Sequence, residues 1–279
     1  MRTTNTPRRP TIGVFDSGFG GLTVLKALVE LIPAADYCYF GDTARLPYGS
    51  KSVETVARYA VEAAHFLESQ GAQLLVIACN TATALALDQI TAAAHVPVVG
   101  VVEPGAESAA SATKNRKIVV IGTDATVSSH AYRKALEKRG LQAREKACPL
   151  LVPLVEEGWI EHTVTEQVAQ IYLAEAFADG FHDADTMVLG CTHYPLLKPL
   201  LKRVAPGHVR IVDSAESTAH EVAGHFQELV PDSDAGVEER RAAPRFKFFA
   251  TDSTEKFRRL GQRFLGHPID DVRHVDLKE

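Results

Sequence analysis

The 279-residue sequence lacks long apolar runs and an excess of positive charge. It contains no stretch of about 18 apolar residues, and its basic start, MRTTNTPRRP, is not followed by the apolar segment of a secretory signal. We therefore expect a cytoplasmic protein with no membrane partner. Thirty Lys and Arg against 35 Asp and Glu give a net charge of −5, so no nucleic-acid partner is expected.

Cysteine is also sparse, which limits disulfide and metal chemistry. The four cysteines, Cys38, Cys79, Cys148 and Cys191, are too few for a disulfide scaffold in a chain of this size, and we expect free thiols. The sequence has no Cys-x-x-Cys pair and no His-Glu-x-x-His helix. Cys191 and His193 alone would supply only two ligands, so no metal site is expected. Phosphate-loop and serine-hydrolase motifs are absent as well.

The sequence alternates short β-branched runs with longer helical patterns, and 46% of its residues are hydrophobic. This alternation predicts an α/β fold with mainly parallel sheets. Strands are predicted at 11–16, 36–41, 73–78, 97–101, 117–122, 185–190, 209–213 and 246–250, and helices at 52–70, 81–95, 128–139, 161–179, 214–230 and 254–265. Residues 231–245 show no apolar periodicity and are interpreted as an exposed loop.

A weak internal repeat indicates two related domains. TIGVFDSG at 11–18 is echoed by KIVVIGTD at 117–124, and QLLVIACNT at 73–81 is echoed by DTMVLGCTH at 185–193. We expect two pseudo-symmetric, doubly wound α/β domains with the active site in the cleft between them. The last predicted strand and helix follow the second repeat, so the first domain is predicted as 1–98 plus 212–279 and the second as 99–211.

In each half, an apolar strand leads directly into a cysteine and then a helix. Cys79 is followed by Asn80 and Thr81, and Cys191 is followed by Thr192 and His193. Open parallel sheets bind ligands at the carboxyl ends of their strands, and a helix N-terminus stabilises a thiolate. One such cysteine is more often a buried core residue, but two at matched positions favour a functional pair.

Two further loops could contribute to a ligand site. Asp16 and Ser17 end the first strand before a glycine-rich turn, which is interpreted as a cradle for a small anion rather than for a nucleotide. Tyr48 and Gly49 precede a predicted helix, where an anion could also bind. His193 could transfer protons with Cys191 or simply cap a helix, and the spacing leaves both open.

Two thiols facing a small substrate could act as one acid and one base, which inverts a carbon acid. This is the leading hypothesis, although the residues alone would allow aspartate, a hydantoin or a maleate-like diacid as substrate. A second hypothesis is a thiol amidohydrolase with Cys191 as nucleophile and His193 as base. A third is a non-catalytic module that binds anions.

The blocks GVFDSGFGGLTVL, YFGDTARLPYGSKS, IACNTATALAL, LVPLVEEG, LGCTHYPLL and VDSA occur in this order. Together they closely resemble the glutamate racemases of the aspartate/glutamate racemase family, from about Ile12 to Leu277. The resemblance implies cofactor-independent interconversion of L- and D-glutamate for peptidoglycan synthesis by a homodimer. His130 departs from the family pattern, in which a small residue is usual.

The resemblance also implies roles for individual residues. Cys79 and Cys191 would be the catalytic thiols, with Asp16 and His193 assisting proton transfer and Glu156 nearby. The residues implied to contact the substrate are Asp16, Ser17, Tyr48, Gly49, Asn80, Thr81, Thr192 and His193.

Overall fold

Two parallel sheets organise the fold in the computed structural model, which describes residues 9–229 and 243–277. The strands are β1 (Thr11–Asp16), β2 (Asp36–Gly41), β3 (Leu74–Ile77), β4 (Val98–Gly100), β5 (Lys117–Gly122), β6 (Gln142–Ala147), β7 (Thr186–Gly190), β8 (Arg210–Asp213), β9 (Phe246–Ala250) and β10 (Val272–His274). The first sheet has the order β10-β9-β2-β1-β3-β4, and the second has the order β6-β5-β7-β8. The paired strands run parallel in both sheets, which confirms the predicted fold class.

Helices connect the strands and cover the sheets. They are α1 (Leu22–Leu31), α2 (Val53–Ser69), α3 (Asn80–Ala93), α4 (Val102–Ala112), α5 (Asp124–Ser129), α6 (Ala131–Lys138), α7 (Leu151–Glu156), α8 (Thr163–Ala176), α9 (Lys198–Val204), α10 (Ala215–Leu229) and α11 (Thr254–Leu265), with short 3₁₀ turns at Tyr48–Ser50 and Tyr194–Leu197. None of the helices in the described ranges is both long and apolar enough to cross a membrane.

The strand order of the first half is repeated in the second. β2-β1-β3-β4 in the first sheet corresponds to β6-β5-β7-β8 in the second. The segments of the internal repeat are neighbouring interior strands in each sheet, β1 beside β3 and β5 beside β7. The order reverses between these neighbours, and this switch point is where open α/β sheets bind ligands at their carboxyl edge. Each half therefore places its cysteine segment at such a point.

The predicted domain boundaries at 98/99 and 211/212 each fall inside a strand, β4 and β8. α4 packs on the second sheet, whereas α10 packs mainly on α1 of the first. We therefore propose a division that keeps every described strand whole, with residues 9–100, 214–229 and 243–277 in the first domain and 101–213 in the second.

Burial of apolar side chains explains which strands and helices could be predicted from the sequence. The predicted strands are found within a residue or so of their predicted ends because most of them are buried on both faces and are therefore continuously apolar. Helix 52–70 is also confirmed: the Ser52 side chain accepts from the Thr55 N–H at its N-cap, and Gly71 takes φ +93° beyond its end.

Other elements differ from the prediction. The prediction lacks β6 and β10. β6 carries charged side chains on a half-exposed edge, and β10 has only three residues, so neither shows the apolar run of a buried strand. The predicted helix 128–139 covers α6 and only the last two residues of α5, and it is interrupted because His130 between them adopts a left-handed φ of 56°. The predicted loop 231–245 lies outside the described residues as far as position 242.

Candidate active site

A cavity of about 370 Å³ lies between the two domains, at the carboxyl ends of β1, β3, β5 and β7. All of the predicted site residues line it except Asp16, which is fully buried behind it. The predicted residues in its wall are Ser17, Tyr48, Gly49, Cys79, Asn80, Thr81, Glu156, Cys191, Thr192 and His193. Cys38 and Cys148 are buried in the two domain cores and do not reach the cavity.

Cys79 occupies the N-cap of α3 in the wall formed by the first domain. Its Sγ accepts from the Ala82 N–H at 3.5 Å and lies 3.5 Å from the Ser17 Oγ. Burial and the nearby Asp16 carboxylate raise the pKa of Cys79 to about 12, outweighing the hydrogen bonds from Ala82 and Ser17. Cys79 is therefore protonated at neutral pH and can act as an acid.

Cys191 faces a different partner in the wall formed by the second domain. Its Sγ lies 3.9 Å from the His193 Nδ1, and the His193 Nε2 lies 3.2 Å from the Glu156 Oε1. Burial lowers the pKa of His193, but hydrogen bonds with Cys191 and Glu156 outweigh burial and raise it to about 10. Burial likewise raises the pKa of Glu156, but the His193 hydrogen bond and charge lower it overall. Cys191 thus lies beside an imidazole that is protonated at neutral pH and can donate a proton to the sulfur.

The raised pKa of His193 predicts a pH-dependent contribution to stability. The pKa of about 10 in the folded protein exceeds the ordinary value of 6.5, so the imidazolium stabilises the folded state fully below pH 6.5. This contribution is lost as the pH rises through about 10. We expect the Tm difference between the wild type and His193→Asn to be largest near pH 6 and to shrink toward pH 10. Thermal denaturation across this range is the measurement.

The exposed His208 provides the control, because its substitution by Asn removes an imidazole that lies outside the cavity. The Tm difference for His208→Asn should stay small across the same pH range. A Tm difference for His193→Asn that does not change with pH would contradict the stabilising role of the charged imidazole.

The glycine-rich loop binds a carboxylate, but that carboxylate belongs to the protein. The Asp16 Oδ2 accepts from the Gly18 N–H at 2.9 Å, and the Asp16 Oδ1 accepts from the Thr192 hydroxyl at 3.3 Å. Burial raises the pKa of Asp16, while the His193 charge and these hydrogen bonds oppose the increase. The Gly18 N–H of this loop is thus already used by an internal carboxylate that links the two domains, and the interpretation of the loop as a cradle for a small anion from solution stays a prediction.

Gly20 in the same loop allows the two domains to approach closely. A Cβ at this position would lie 2.7 Å from the His193 Nδ1 and would also collide with the Thr192 hydroxyl. Only a residue without a side chain leaves room for the loop that follows β7. The glycine is required here by the neighbouring domain.

The cavity wall offers neutral polar groups. Within the described part of the chain, no Lys or Arg lines it. The Asn80 Oδ1 accepts from the Tyr132 hydroxyl at 2.7 Å, whereas its Nδ2 is one of three buried side-chain polar atoms among the described residues that lack a hydrogen-bond partner. A buried donor without a partner is costly unless a ligand satisfies it. The wall thus offers amide and hydroxyl groups to a bound anion.

Tyr48 lines the cavity, but its hydroxyl has a partner within the protein. Its hydroxyl donates to the Asp42 Oδ2 at 2.5 Å, and the Asp42 Oδ1 accepts from the Thr251 hydroxyl at 2.8 Å. Burial raises the pKa of Asp42, although these hydrogen bonds oppose the increase. The Tyr48 hydroxyl is therefore already engaged, and the loop that carries Tyr48 is tied to the end of β9.

The sequence analysis missed Thr123, which lines the cavity from the end of β5. Its Oγ1 lies 2.9 Å from the Thr81 Oγ1 and 2.9 Å from the Thr126 Oγ1, so the hydroxyls join the two domains. The internal repeat contained the signal, because KIVVIGTD places Thr123 at the position of Ser17 in TIGVFDSG. The apolar wall from Pro149, Val152 and Pro153 was also missed, since nothing in that segment marks it as a ligand surface.

Comparison with known proteins places the chain in a family. The family model described as Asp/Glu/hydantoin racemase matches residues 12–222. The chain belongs to the Asp/Glu/hydantoin racemase family, a class of isomerases.

The relatives that it matches over nearly its whole length are glutamate racemases. The glutamate racemase of Koribacter versatilis is 60% identical, over 97% of this chain and 98% of the relative. The crystal structure of a glutamate racemase from Bacillus anthracis has a TM-score of 0.87 at 38% identity, covering 96% of this chain and 98% of that chain. The Francisella tularensis glutamate racemase, solved in complex with D-glutamate, has a TM-score of 0.85 at 33% identity, with coverage of 96% and 98%.

Proposed function

We propose that the protein interconverts L- and D-glutamate with Cys79 and Cys191 as its two acid–base groups and without a cofactor. The observation that carries this proposal is that the two thiols, at equivalent positions of the two sheets, line one cavity from opposite domains. Similarity to glutamate racemases along nearly the whole chain supports glutamate as the substrate.

In the direction from L- to D-glutamate, the Cys191 thiolate removes the α-proton, and the electron pair of the C–H bond remains on the substrate as a carbanion. The Cys79 thiol then donates its proton to the opposite face of the α-carbon. The cycle leaves Cys191 protonated and Cys79 as a thiolate, and proton exchange with solvent restores both. The protonation of Cys79 and the His193 neighbour of Cys191 support this assignment.

The reverse direction requires Cys79 to lose its proton. We propose that Asp16 assists Cys79, since its buried carboxylate is close enough to raise the pKa of that thiol. His193, oriented by Glu156, assists Cys191. Ser17, Asn80, Thr81, Thr192 and the backbone of Tyr48 and Gly49 are proposed to bind the substrate, and the Asn80 Nδ2 without a partner supports this.

Cys191, His193 and Glu156 also lie in the order of a thiol hydrolase triad. A hydrolase would use only this half of the cavity and would give Cys79 no role. Racemisation uses both thiols, and it is the activity of the similar proteins. Release of an amine or ammonia from glutamine or other amides is the product that would favour the hydrolase.

The source of the new α-hydrogen tests the use of two bases. Product formed early in deuterated water should carry deuterium at the α-carbon, because the donating thiol has already exchanged with solvent. Unreacted substrate should carry almost none. Circular dichroism would follow the inversion without added cofactor, and mass spectrometry would measure the label. Transfer of the substrate's own hydrogen into the opposite enantiomer within one turnover would instead indicate a single base that serves both faces.

We further propose that the enzyme acts as a cytoplasmic homodimer and supplies D-glutamate for peptidoglycan synthesis. Similarity to glutamate racemases over nearly the full length of both chains supports these proposals. Sedimentation analysis would measure the oligomeric state. Depletion of the protein in its own cell, with and without added D-glutamate, would test the biosynthetic role.

A further inference from the structure

Helix α11 of the first domain contacts the His193–Glu156 pair of the second domain. The Phe264 ring, in the last turn of α11, has its centroid 5.3 Å from that of the His193 imidazole, and the two planes meet at 79°. Both side chains are buried, with 4% of Phe264 and 7% of His193 exposed. An edge-to-face contact at this distance is a specific aromatic interaction. Phe264 therefore contacts, from the other domain, a residue that is proposed to transfer protons.

The hydrogen bonds of His193 hold its ring at only two points. The Cys191 Sγ and Glu156 Oε1 hold the ring at its two nitrogens, so it can still turn about the line that joins them. The two N–H directions of an imidazole are not collinear, and such a turn misaligns both hydrogen bonds. Gly20 lies close to Nδ1 without a side chain, and Phe264 supplies the perpendicular surface that opposes the turn.

We infer that Phe264 is a positioning residue, which holds the His193 imidazole in the orientation from which it serves Cys191. This inference rests on the proposed function of His193. Phe264 does not line the cavity, and its ring contact with the imidazole is the route by which it would act.

Other contacts of α11 support this role. The Arg263 guanidinium packs against Gly158, two residues after Glu156. It lies so close that a Cβ at position 158 would collide with it. Burial raises the pKa of Glu156, whereas the His193 hydrogen bond and charge lower it. The Lys256 charge lowers it further by a smaller amount. Phe257 and Leu260, 0% and 3% exposed, anchor the helix in its own domain. α11 therefore lies beside both members of the pair.

A double-mutant cycle tests the inference. Phe264→Leu keeps an apolar side chain but removes the perpendicular ring, and Phe257→Leu makes the same change in the same helix away from His193. Each is combined with His193→Asn. We expect Phe264→Leu to lower kcat from L- to D-glutamate by about tenfold and to raise the primary isotope effect in that direction. In the His193→Asn background it should change kcat by less than about twofold. Phe257→Leu should lower Tm but leave kcat within about twofold.

Two outcomes overturn the inference, and they differ from failure of the proposed function. In the first, Phe264→Leu lowers kcat by the same factor in the wild-type and His193→Asn backgrounds. In the second, it changes the primary isotope effects equally in both directions. Either result would show a general packing role. If His193→Asn itself causes no directional loss, the proposed role of His193 fails and the inference fails with it. Measured Tm values for all variants separate these effects from unfolding.

Discussion

Replacing either cavity thiol with alanine is expected to lower kcat for glutamate racemisation by about 10³-fold or more in both directions. Each turnover needs one thiol to accept a proton and the other to donate one. Cys79→Ala should still allow Cys191 to remove the α-proton of L-glutamate and return deuterium to the same face. L-glutamate would then gain label slowly without becoming D-glutamate. Polarimetry and mass spectrometry of the recovered substrate measure both processes.

Cys38→Ala is the matched control, because Cys38 is a fully buried thiol of the same domain that does not line the cavity. It should lower Tm modestly and leave kcat close to that of the wild type. Racemisation by Cys79→Ala within tenfold of the wild-type rate would contradict the assignment of Cys79 as an obligatory acid–base group.

Gly20→Ala is also expected to lower kcat/KM strongly. The added methyl group would lie 2.7 Å from the His193 Nδ1, so the loop with Thr192 and His193 must move away from the first domain. A displacement of about 1 Å in a catalytic group can lower the rate by about 10²-fold. We therefore expect kcat/KM to fall by about that factor for both enantiomers. It must fall equally for both, since the equilibrium constant of racemisation is one.

Gly224→Ala provides the comparison, since a Cβ there meets nothing within 4 Å in α10. It should leave kcat/KM unchanged and raise helix stability by up to about 1 kcal/mol. Wild-type kcat/KM in Gly20→Ala would mean that the domain interface tolerates a side chain at this point. Steady-state kinetics and thermal denaturation of the two variants decide between these results.

The sequence predicts most of the fold because buried parallel strands are continuously apolar. β1, β2 and β5 match their predicted ranges, and their residues are almost all buried. β6 could not be found in this way, because an edge strand keeps its charged side chains in solvent. The break at His130 also has no local signal, since neither glycine nor proline marks it.

The candidate site could also be predicted only in part from the sequence. Cys79 and Cys191 could be placed together because both follow interior strands of parallel sheets, whose carboxyl ends converge on one cavity. The position of Asp16 behind the cavity could not be predicted, since it depends on backbone N–H groups that turn toward its carboxylate. The contact of Phe264 with His193 joins residues far apart in the chain, and the pattern of α11 indicates only that one face is buried.

The place of β9 in the first sheet has a consequence for folding during synthesis. β2 pairs with β9, whose residues Phe246–Ala250 follow it by some two hundred positions, whereas β5 to β8 come from one continuous stretch of chain. The second sheet can therefore be completed on the ribosome while β2 still has an open edge. Its apolar strand would remain exposed at that edge until β9 emerges, and an exposed strand edge is a site of aggregation. Because Thr251 follows β9 and ties down the loop that carries Tyr48, the cavity can acquire its final shape only after the last part of the chain is released.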